Sequence, residues 1–235
     1  MTKLGIIGAM DIEVATLKEN MENMTVTKKA GMEFYDGLLA GLPAVVVQCG
    51  VGKVNAAMCA QILCDCFCVT NLVNTGIAGS LDAALDIGDL VVSRDAMYHD
   101  FDCVHFGYEM GKVPGMDVVA FPADETMMGY ALEAAESVHP GHVKTGRVAS
   151  GDLFVAEKEA KERIIAKTGA VCTEMEGAAI AQTAYRNGVP FVILRAISDK
   201  ADDSASMDYP TFERQAAERC AKVAMTMAET IKNVN

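Results

Sequence analysis

"GAAIAQTAYRNGVPFVILRAISDKADD", residues 177–203, contains the alternation on which the fold turns. Its first part is rich in small residues and reads as a helix, closed by Gly188 as a C-cap. "VPFVIL" follows at once and is apolar on both faces, as a strand buried in the middle of a sheet must be. Helix, glycine stop and buried strand in succession form the unit of an α/β fold, in which crossover helices link parallel strands. The strand then ends on Arg195, Ser198 and Asp199 rather than on a plain polar turn, and a charged strand mouth needs an explanation.

The same alternation continues outward to both ends. "LGIIGA" reads as the first strand, and "MDIEVATLKENM" as an amphipathic helix with Val14, Leu17 and Met21 on one face. "MEFYDGLLAGLPAVVVQCG" reads as a hairpin whose second arm, ending at Gly50, is buried, and "GKVNAAMCAQILCDCF" as a helix. "NLVNTGIAGSL" carries a buried strand into a glycine turn, and "DLVVSRDAMYHD" supplies another strand. Helical spacing in "ADETMMGYALEAAESV" and "EKEAKERIIAK" brackets the strand and turn of "HVKTGRVASGDLFV", and the last helix is expected from about Tyr209 to Thr230. With 235 residues and no linker, repeat or low-complexity stretch, one α/β domain over residues 1–235 is expected, its sheet central and covered by helices.

Composition narrows the function. A hydrophobic fraction of 51 % supports a sizeable core, yet no run approaches the roughly 18 apolar residues of a membrane span. "MTKLGIIGAMDIE" lacks an h-region and a cleavage site, so a cytoplasmic protein without membrane attachment is expected. Twenty basic against 32 acidic residues give a net charge of −12 with no basic cluster, which argues against a nucleic-acid partner. The eight cysteines include "CDCFC", whose spacing is unlike that of zinc pairs; they are read as reduced thiols acting as small apolar side chains.

Ligands of open α/β sheets bind beyond the carboxyl ends of the strands. The residues collected there are Gly8 to Glu13, Gly50 to Lys53, Thr75 to Ser80, Ser150 to Val155, Glu174 to Glu176 and Ser198 to Asp203. Carboxylates and glycines dominate, which disfavours phosphate. "GVGKV" is no P-loop, since Val54 follows Lys53 where a serine or threonine is required; Gly50 and Gly52 read as a tight turn. Glu13 falls in the first turn of a helix, where the dipole favours a carboxylate in any case. "TEMEG" sets Glu174 and Glu176 two apart, on one side of an extended chain with Met175 opposite. They either decorate a helix start or accept hydrogen bonds from a vicinal diol such as ribose. Asp199 is the least ordinary, because a carboxyl leaving a buried strand has its pKa raised and can serve as a general acid. Asp202 and Asp203 read as solvated or capping residues, and Arg195 as an internal counter-ion.

"GIIGAMDIEV", "GVGKVNAA", "NTGIAGSL", "GDLVVSRDAMYHDFD", "FGYEMGKVPG", "SGDLFV", "TEMEGAAIA" and "VPFVILRAISDKAD" follow one another in the order found in 5′-methylthioadenosine/S-adenosylhomocysteine nucleosidases. The chain resembles that family over essentially its whole length, and the family is the hydrolytic branch of the purine nucleoside phosphorylases. The resemblance implies a single α/β domain with a central mixed, largely parallel sheet flanked by helices. It implies cleavage of an N-glycosidic bond to release adenine, with no metal or cofactor. Carried over by position, Asp199 would be the acid at the purine and Glu13 the residue activating water. Glu176 would hold the ribose hydroxyls, with Met175 against the sugar and Glu174 and Arg195 nearby. Phe154, Val155, Ala78 and Gly79 would surround the purine. Met10, Val51 and Tyr209 would meet the 5′ substituent, together with Phe106 and Pro114 from a second subunit, which implies a homodimer.

The residue types suit this chemistry, because a departing purine must be neutralised and a water delivered, work that two carboxyl groups can divide. One departure matters: where the family has a serine after "NTG", this chain has Ile77, and Ser80 breaks the following glycine pair. A less firmly held Asp199, or a changed substrate such as a futalosine, would follow. Asp199 argues against a 6-oxopurine, whose carbonyl would repel an ionised carboxylate. Competing classes are a phosphorolytic enzyme, a nucleoside sensor without catalysis, and a metal-binding protein built on "CDCFC".

Overall fold

In a computed structural model that describes residues 2–202 and 204–234, strands and helices alternate as the sequence requires. The order is β1 (Leu4–Gly8), α1 (Asp11–Glu19), β2 (Met21–Lys29), β3 (Met32–Leu39), β4 (Leu42–Gln48), α2 (Lys53–Phe67), β5 (Asn71–Ser80) and β6 (Leu90–Tyr98). After a short 3-10 turn (Val104–Phe106) come β7 (Phe121–Pro122), α3 (Glu125–Val138), β8 (Val143–Ser150), α4 (Lys158–Thr168), β9 (Cys172–Glu174), α5 (Gly177–Asn187), β10 (Phe191–Asp199) and α6 (Ala205–Val234). No helix among the described residues is long and apolar enough to cross a membrane.

The sheet is mixed. β10, β5, β1 and β4 lie side by side and parallel, and β3 and β2 continue antiparallel beyond β4. On the other side β10 pairs antiparallel with β6, β6 parallel with β8, β8 parallel with β9, and β9 antiparallel with the end of β5. Five strands therefore close a ring.

Successive side chains of a strand point to opposite faces, and this builds two cores on one sheet. Leu4, Ile6, Ala44, Val46 and Val73 pack on the side of α1, α3 and α6. Ile7, Val45, Val47 and Leu72 pack on the side of α2 and α5. Most of these side chains are wholly buried, each contributing about 1.5–3 kcal/mol. Ala160 and Ile164 of α4 cover a smaller cluster with Leu81, Val155 and Ala201.

Four local expectations need correction. Met21 begins β2 instead of ending the first helix, and β2 itself carries no apolar alternation: beyond Met21 its residues are exposed, and hydrogen bonding to β3 holds it. "NTGIAGS" remains a strand, because Gly76, Ile77 and Ala78 stay in register with Arg195, Ala196 and Ile197. The last helix starts at Ala205, after a turn in which Asp202 Oδ1 accepts from the Ser204 amide at 3.0 Å, and Pro210 is accommodated inside it. Asp202 is thus a capping residue, whereas Asp203 lies outside the described residues. Cys49, Cys59, Cys172 and Cys220 are buried, but Cys66 and Cys68 are exposed, so the apolar reading fails for those two.

Candidate active site

The ends of β5 and β10 bring the acidic residues together. Gly79 is in register with Asp199, and a register shift between Ile197 and Asp199 marks a bulge at the mouth of the strand. Bulges re-aim side chains. The Asp199 carboxyl, 2 % exposed, accepts hydrogen bonds from Ser198 Oγ and from the Ala201 amide, both at 2.8 Å. Burial outweighs these bonds and pushes its pKa above the ordinary aspartate value.

Glu13 arrives from α1. Its carboxylate folds back onto the start of its own helix, where Oε2 accepts from the amides of Ala9 at 2.7 Å and Met10 at 3.0 Å. Oε1 accepts from the Ile77 amide at 3.0 Å. Here too desolvation raises the pKa, against the opposing pull of Arg195 and these three amides.

Arg195 is the hub. At 1 % exposure it is among the largest fully buried side chains, and its guanidinium reaches Glu174, Glu176 and Glu13, the last two at 3.6 and 3.8 Å. It also donates to the Asn74 side chain and to the Ile77 carbonyl. Burial opposes its charge, yet the three glutamates hold its pKa above the ordinary value. Such a cation must be paired, and the counter-ion reading of the sequence holds. Gly76 leaves the space this requires, since a Cβ there would strike Arg195 Nη1 and Glu13 Oε1.

Glu174 and Glu176 divide the work unequally. Glu174 accepts from Ser150 Oγ, the amides of Glu176 and Gly177, and Arg195, so its carboxylate is spent inside the protein. Glu176 accepts from the Gly52 amide at 2.9 Å and keeps capacity for a ligand. Burial first, then the charge of Glu174, pushes its pKa up to about 7. Strand geometry stops at Glu174, and Glu176 (φ −131°, ψ −38°) caps α5, so Met175 turns toward the same cleft instead of away from it.

The cleft has an empty volume of about 470 Å³. Glu13, Glu176, Arg195 and Asp199 line it together with Met10, Val51, Ala78 and Gly79. Tyr209 closes one side: its hydroxyl lies 3.2 Å from Met10 Sδ, and its ring meets Phe154 edge-on with centroids 5.5 Å apart. Val155 does not reach the main cleft but lines a smaller pocket that shares Gly79, Phe154, Met175 and Asp199 with it. Phe106, 82 % exposed, and Pro114, also exposed, lie outside the cleft of their own chain. Gly50 and Gly52 adopt positive φ (+86° and +99°) in the tight turn read from the sequence. Lys53 is held by Asp100 and Asp152 and offers no free cation for a phosphate.

Sequence reasoning collected Ser198 at the strand mouth but gave it no role, and it missed Thr173, which lines the cleft and whose buried hydroxyl has no hydrogen-bond partner among the described residues; Ser198 orients Asp199. Both are uncharged and common at strand ends. Only their strand neighbours, Asp199 and Glu174, flag them.

Comparison with known proteins identifies the family. The profile of the phosphorylase superfamily matches residues 3–229. A 5′-methylthioadenosine/S-adenosylhomocysteine nucleosidase of Halalkalibacterium halodurans is 41 % identical over 228 residues, covering 97 % of this chain and 98 % of the relative. The chain belongs to the 5′-methylthioadenosine/S-adenosylhomocysteine nucleosidase family. A crystal structure of the Neisseria meningitidis member of this nucleosidase family, in complex with methylthio-immucillin-A, superposes with a TM-score of 0.95 at 36 % identity, covering 98 % of this chain and all of the other. A Helicobacter pylori structure described as a futalosine hydrolase is also similar, with a TM-score of 0.92 at 32 % identity and coverage of 97 % and 98 %.

Against the nucleosidase family pattern, Ile77 and Ser80 can now be placed. Ile77 lines the cleft, and its amide and carbonyl serve Glu13 and Arg195. Ser80 Oγ turns away to donate to the Asp82 carbonyl at 2.8 Å. Asp199 does not depend on a hydroxyl at position 77, because Ser198 and Ala201 hold it.

Proposed function

We propose that the chain hydrolyses the N-glycosidic bond of 5′-methylthioadenosine and S-adenosylhomocysteine, releasing adenine and the 5-thioribose product. One observation carries this reading: two buried carboxyl groups with raised pKa values, Glu13 and Asp199, open into the same cleft as a third, Glu176, that has hydrogen-bonding capacity to spare. Asp199 in its protonated form gives its proton to purine N7, so the electrons of the breaking bond enter a neutral leaving group. Glu13 takes a proton from the water that attacks the sugar carbon. Glu176 accepts from the ribose hydroxyls with the capacity that the Gly52 amide leaves it. Arg195 keeps the carboxylates from repelling one another and has no direct part in the reaction.

Phe154, half exposed at the rim, would stack on the purine, with the backbone of Val155 reading its edge. Ala78 and Gly79 pass beneath it, and a Cβ at Gly79 would come within 2.9 Å of Asp199 Oδ1. Met175 packs against the sugar. Met10, Val51 and Tyr209 form apolar walls suited to a thioether. Val51, Val104, Phe106, Tyr108, Leu153 and Phe154 are large apolar side chains left exposed, which supports a homodimer in which the partner's Phe106 and the partner's Pro114 complete the 5′ pocket. A cytoplasmic enzyme of methionine salvage is part of the same proposal.

Phe106→Ala should then raise KM for thioether substrates more than for adenosine, since only the larger 5′ group touches the deleted wall. Steady-state kinetics on both substrates, beside sedimentation of the wild type, checks it; a fully active monomer refutes it. Ile77→Ser should change kcat on adenine nucleosides by about tenfold or less, because one hydrogen bond is worth roughly 0.5–1.5 kcal/mol net and Asp199 is already held.

The similarity to a futalosine hydrolase favours one second reading, an aminofutalosine or futalosine substrate. A nucleoside panel with free base detected, run with and without phosphate, separates the possibilities. Adenine release from methylthioadenosine independent of phosphate is expected. Faster cleavage of futalosine, or dependence on phosphate, overturns the proposal.

A further inference from the structure

The turn "HPGH", His139 to His142, joins α3 to β8. His139 is the C-cap residue of α3, and the His142 amide donates back to the His139 carbonyl at 3.1 Å. The turn brings the two imidazoles together, with ring centroids 4.3 Å apart and 15° between their planes. Opposite them the chain enters β6. The Leu90 amide donates to the His142 carbonyl at 2.9 Å, which sets Asp89 beside His142 by backbone pairing alone. Asp89 is buried; its Oδ2 accepts the Asp86 amide at 2.8 Å, and its Oδ1 lies 2.9 Å from His142 Nδ1. One ligand atom from each of Asp89, His139 and His142 thus lies within 4.8 Å of the other two.

We propose that Asp89, His139 and His142 bind one divalent transition-metal ion of the Zn²⁺ class. Two imidazoles and a carboxylate are donors of the kind such ions prefer, whereas Ca²⁺ takes six to eight oxygens. Bonds of about 2.0–2.2 Å to nitrogen and oxygen give a tetrahedral edge of roughly 3.3 Å. The Asp89–His142 separation is already near that value, and His139, on a partly exposed turn, closes the remaining gap by side-chain rotation. Three protein ligands leave a fourth position for water. The hydrogen bond between Asp89 and His142 accounts for those two residues without a metal but gives no role to the stacked ring of His139.

Nearby charges set a moderate affinity. Asp86 and Glu136, the latter bonded to the Gly141 amide at 3.0 Å, favour a cation. Arg219, which donates to the Gly88 carbonyl, and Lys200, paired with Asp86 at 2.9 Å, oppose it. The ion would tie the end of α3 to the start of β6. Because the Asp89 carbonyl accepts from the Ile197 amide at 2.9 Å, it would also brace β10 two residues before Asp199. It would act as a clamp and take no part in the reaction.

Titration calorimetry of chelator-stripped protein with ZnCl₂ tests this in a Cys66→Ser, Cys68→Ser background, which removes two exposed thiols that could compete for the added zinc. One equivalent of Zn²⁺ per chain is expected, with affinity reduced at least tenfold in His139→Asn and in His142→Gln. Zinc at about a hundredfold excess over its dissociation constant should raise Tm by roughly 5–10 °C, and the same zinc concentration should give either variant about half that shift or less. Bound Co²⁺ should show no thiolate charge-transfer band. Should His142→Gln fail to fold through loss of its bond to Asp89, His139→Asn decides the matter, because His139 takes no part in that bond. Absence of saturable binding, or unchanged affinity in His139→Asn, overturns the proposal.

Discussion

Asp199→Asn is expected to lower adenine release from methylthioadenosine by roughly 10² to 10⁴, the usual worth of a positioned proton donor. The substitution is nearly isosteric. Asparagine keeps an oxygen for the Ala201 amide or the Ser198 hydroxyl, both of which now bond to the carboxyl at 2.8 Å. It cannot give a proton to a departing purine. Because burial already favours the neutral form of Asp199, exchanging it for a neutral amide removes little electrostatic energy from the folded state, so the melting temperature should hardly move. Ser198→Ala, which deletes one orienting bond and leaves the acid in place, should cost far less. Single-turnover rates for the two variants make the comparison, and near-normal turnover in Asp199→Asn would remove this residue from the acid role.

Glu13→Gln is expected to lose activity on a similar scale, roughly 10² to 10⁴, while still binding a substrate analogue. The deleted function is acceptance of a proton from water, which contributes little to ground-state affinity. Unlike the first variant, this one should also lose stability. Three backbone amides, those of Ala9, Met10 and Ile77, donate to the two carboxylate oxygens. Glutamine offers a single oxygen, so it presents donors to donors and leaves at least one buried amide unsatisfied, at about 1–3 kcal/mol. Calorimetric binding of an analogue separates the two effects: a folded variant that neither binds nor turns over would mean that Glu13 builds the pocket and does not serve the reaction.

Much of this architecture could be read from residue order. Apolar runs such as "VPFVIL" and "AVVV" specify buried strands, and the residues that follow them specify the cleft. Asp199 stood out because a carboxyl group is costly where a buried strand ends, whereas Glu13, favoured by the helix dipole in any case, was singled out only by resemblance to the family. The division between Glu174 and Glu176 was not legible, because it depends on where the chain leaves extended geometry, and that is set by Ser150 and Arg195 from other strands. Nor could the guanidinium's three carboxylate neighbours be paired in advance: they come from α1 and from the β9–α5 junction, far apart in the chain. β2 escaped because its exposed residues carry no periodic signal, and its partner β3 supplies the hydrogen bonds that define it.

β2 also bears on the behaviour of the protein in a crowded solution. Among the described residues, hydrogen bonding runs in a circle through β10, β6, β8, β9 and β5, so on that side each long strand has a partner on both flanks over at least part of its length. At the other end β2 is left with one side unpaired among the described strands, a row of amides and carbonyls against which a stray strand could align. Glu22, Lys28 and Lys29 stand exposed along it, and a strand docking there would have to strip these charges of water. Residues 21–29 therefore matter less for any contact with the cores than for the pairings their charges discourage. Resistance to chance strand pairing is set by the one strand that gives least to either core.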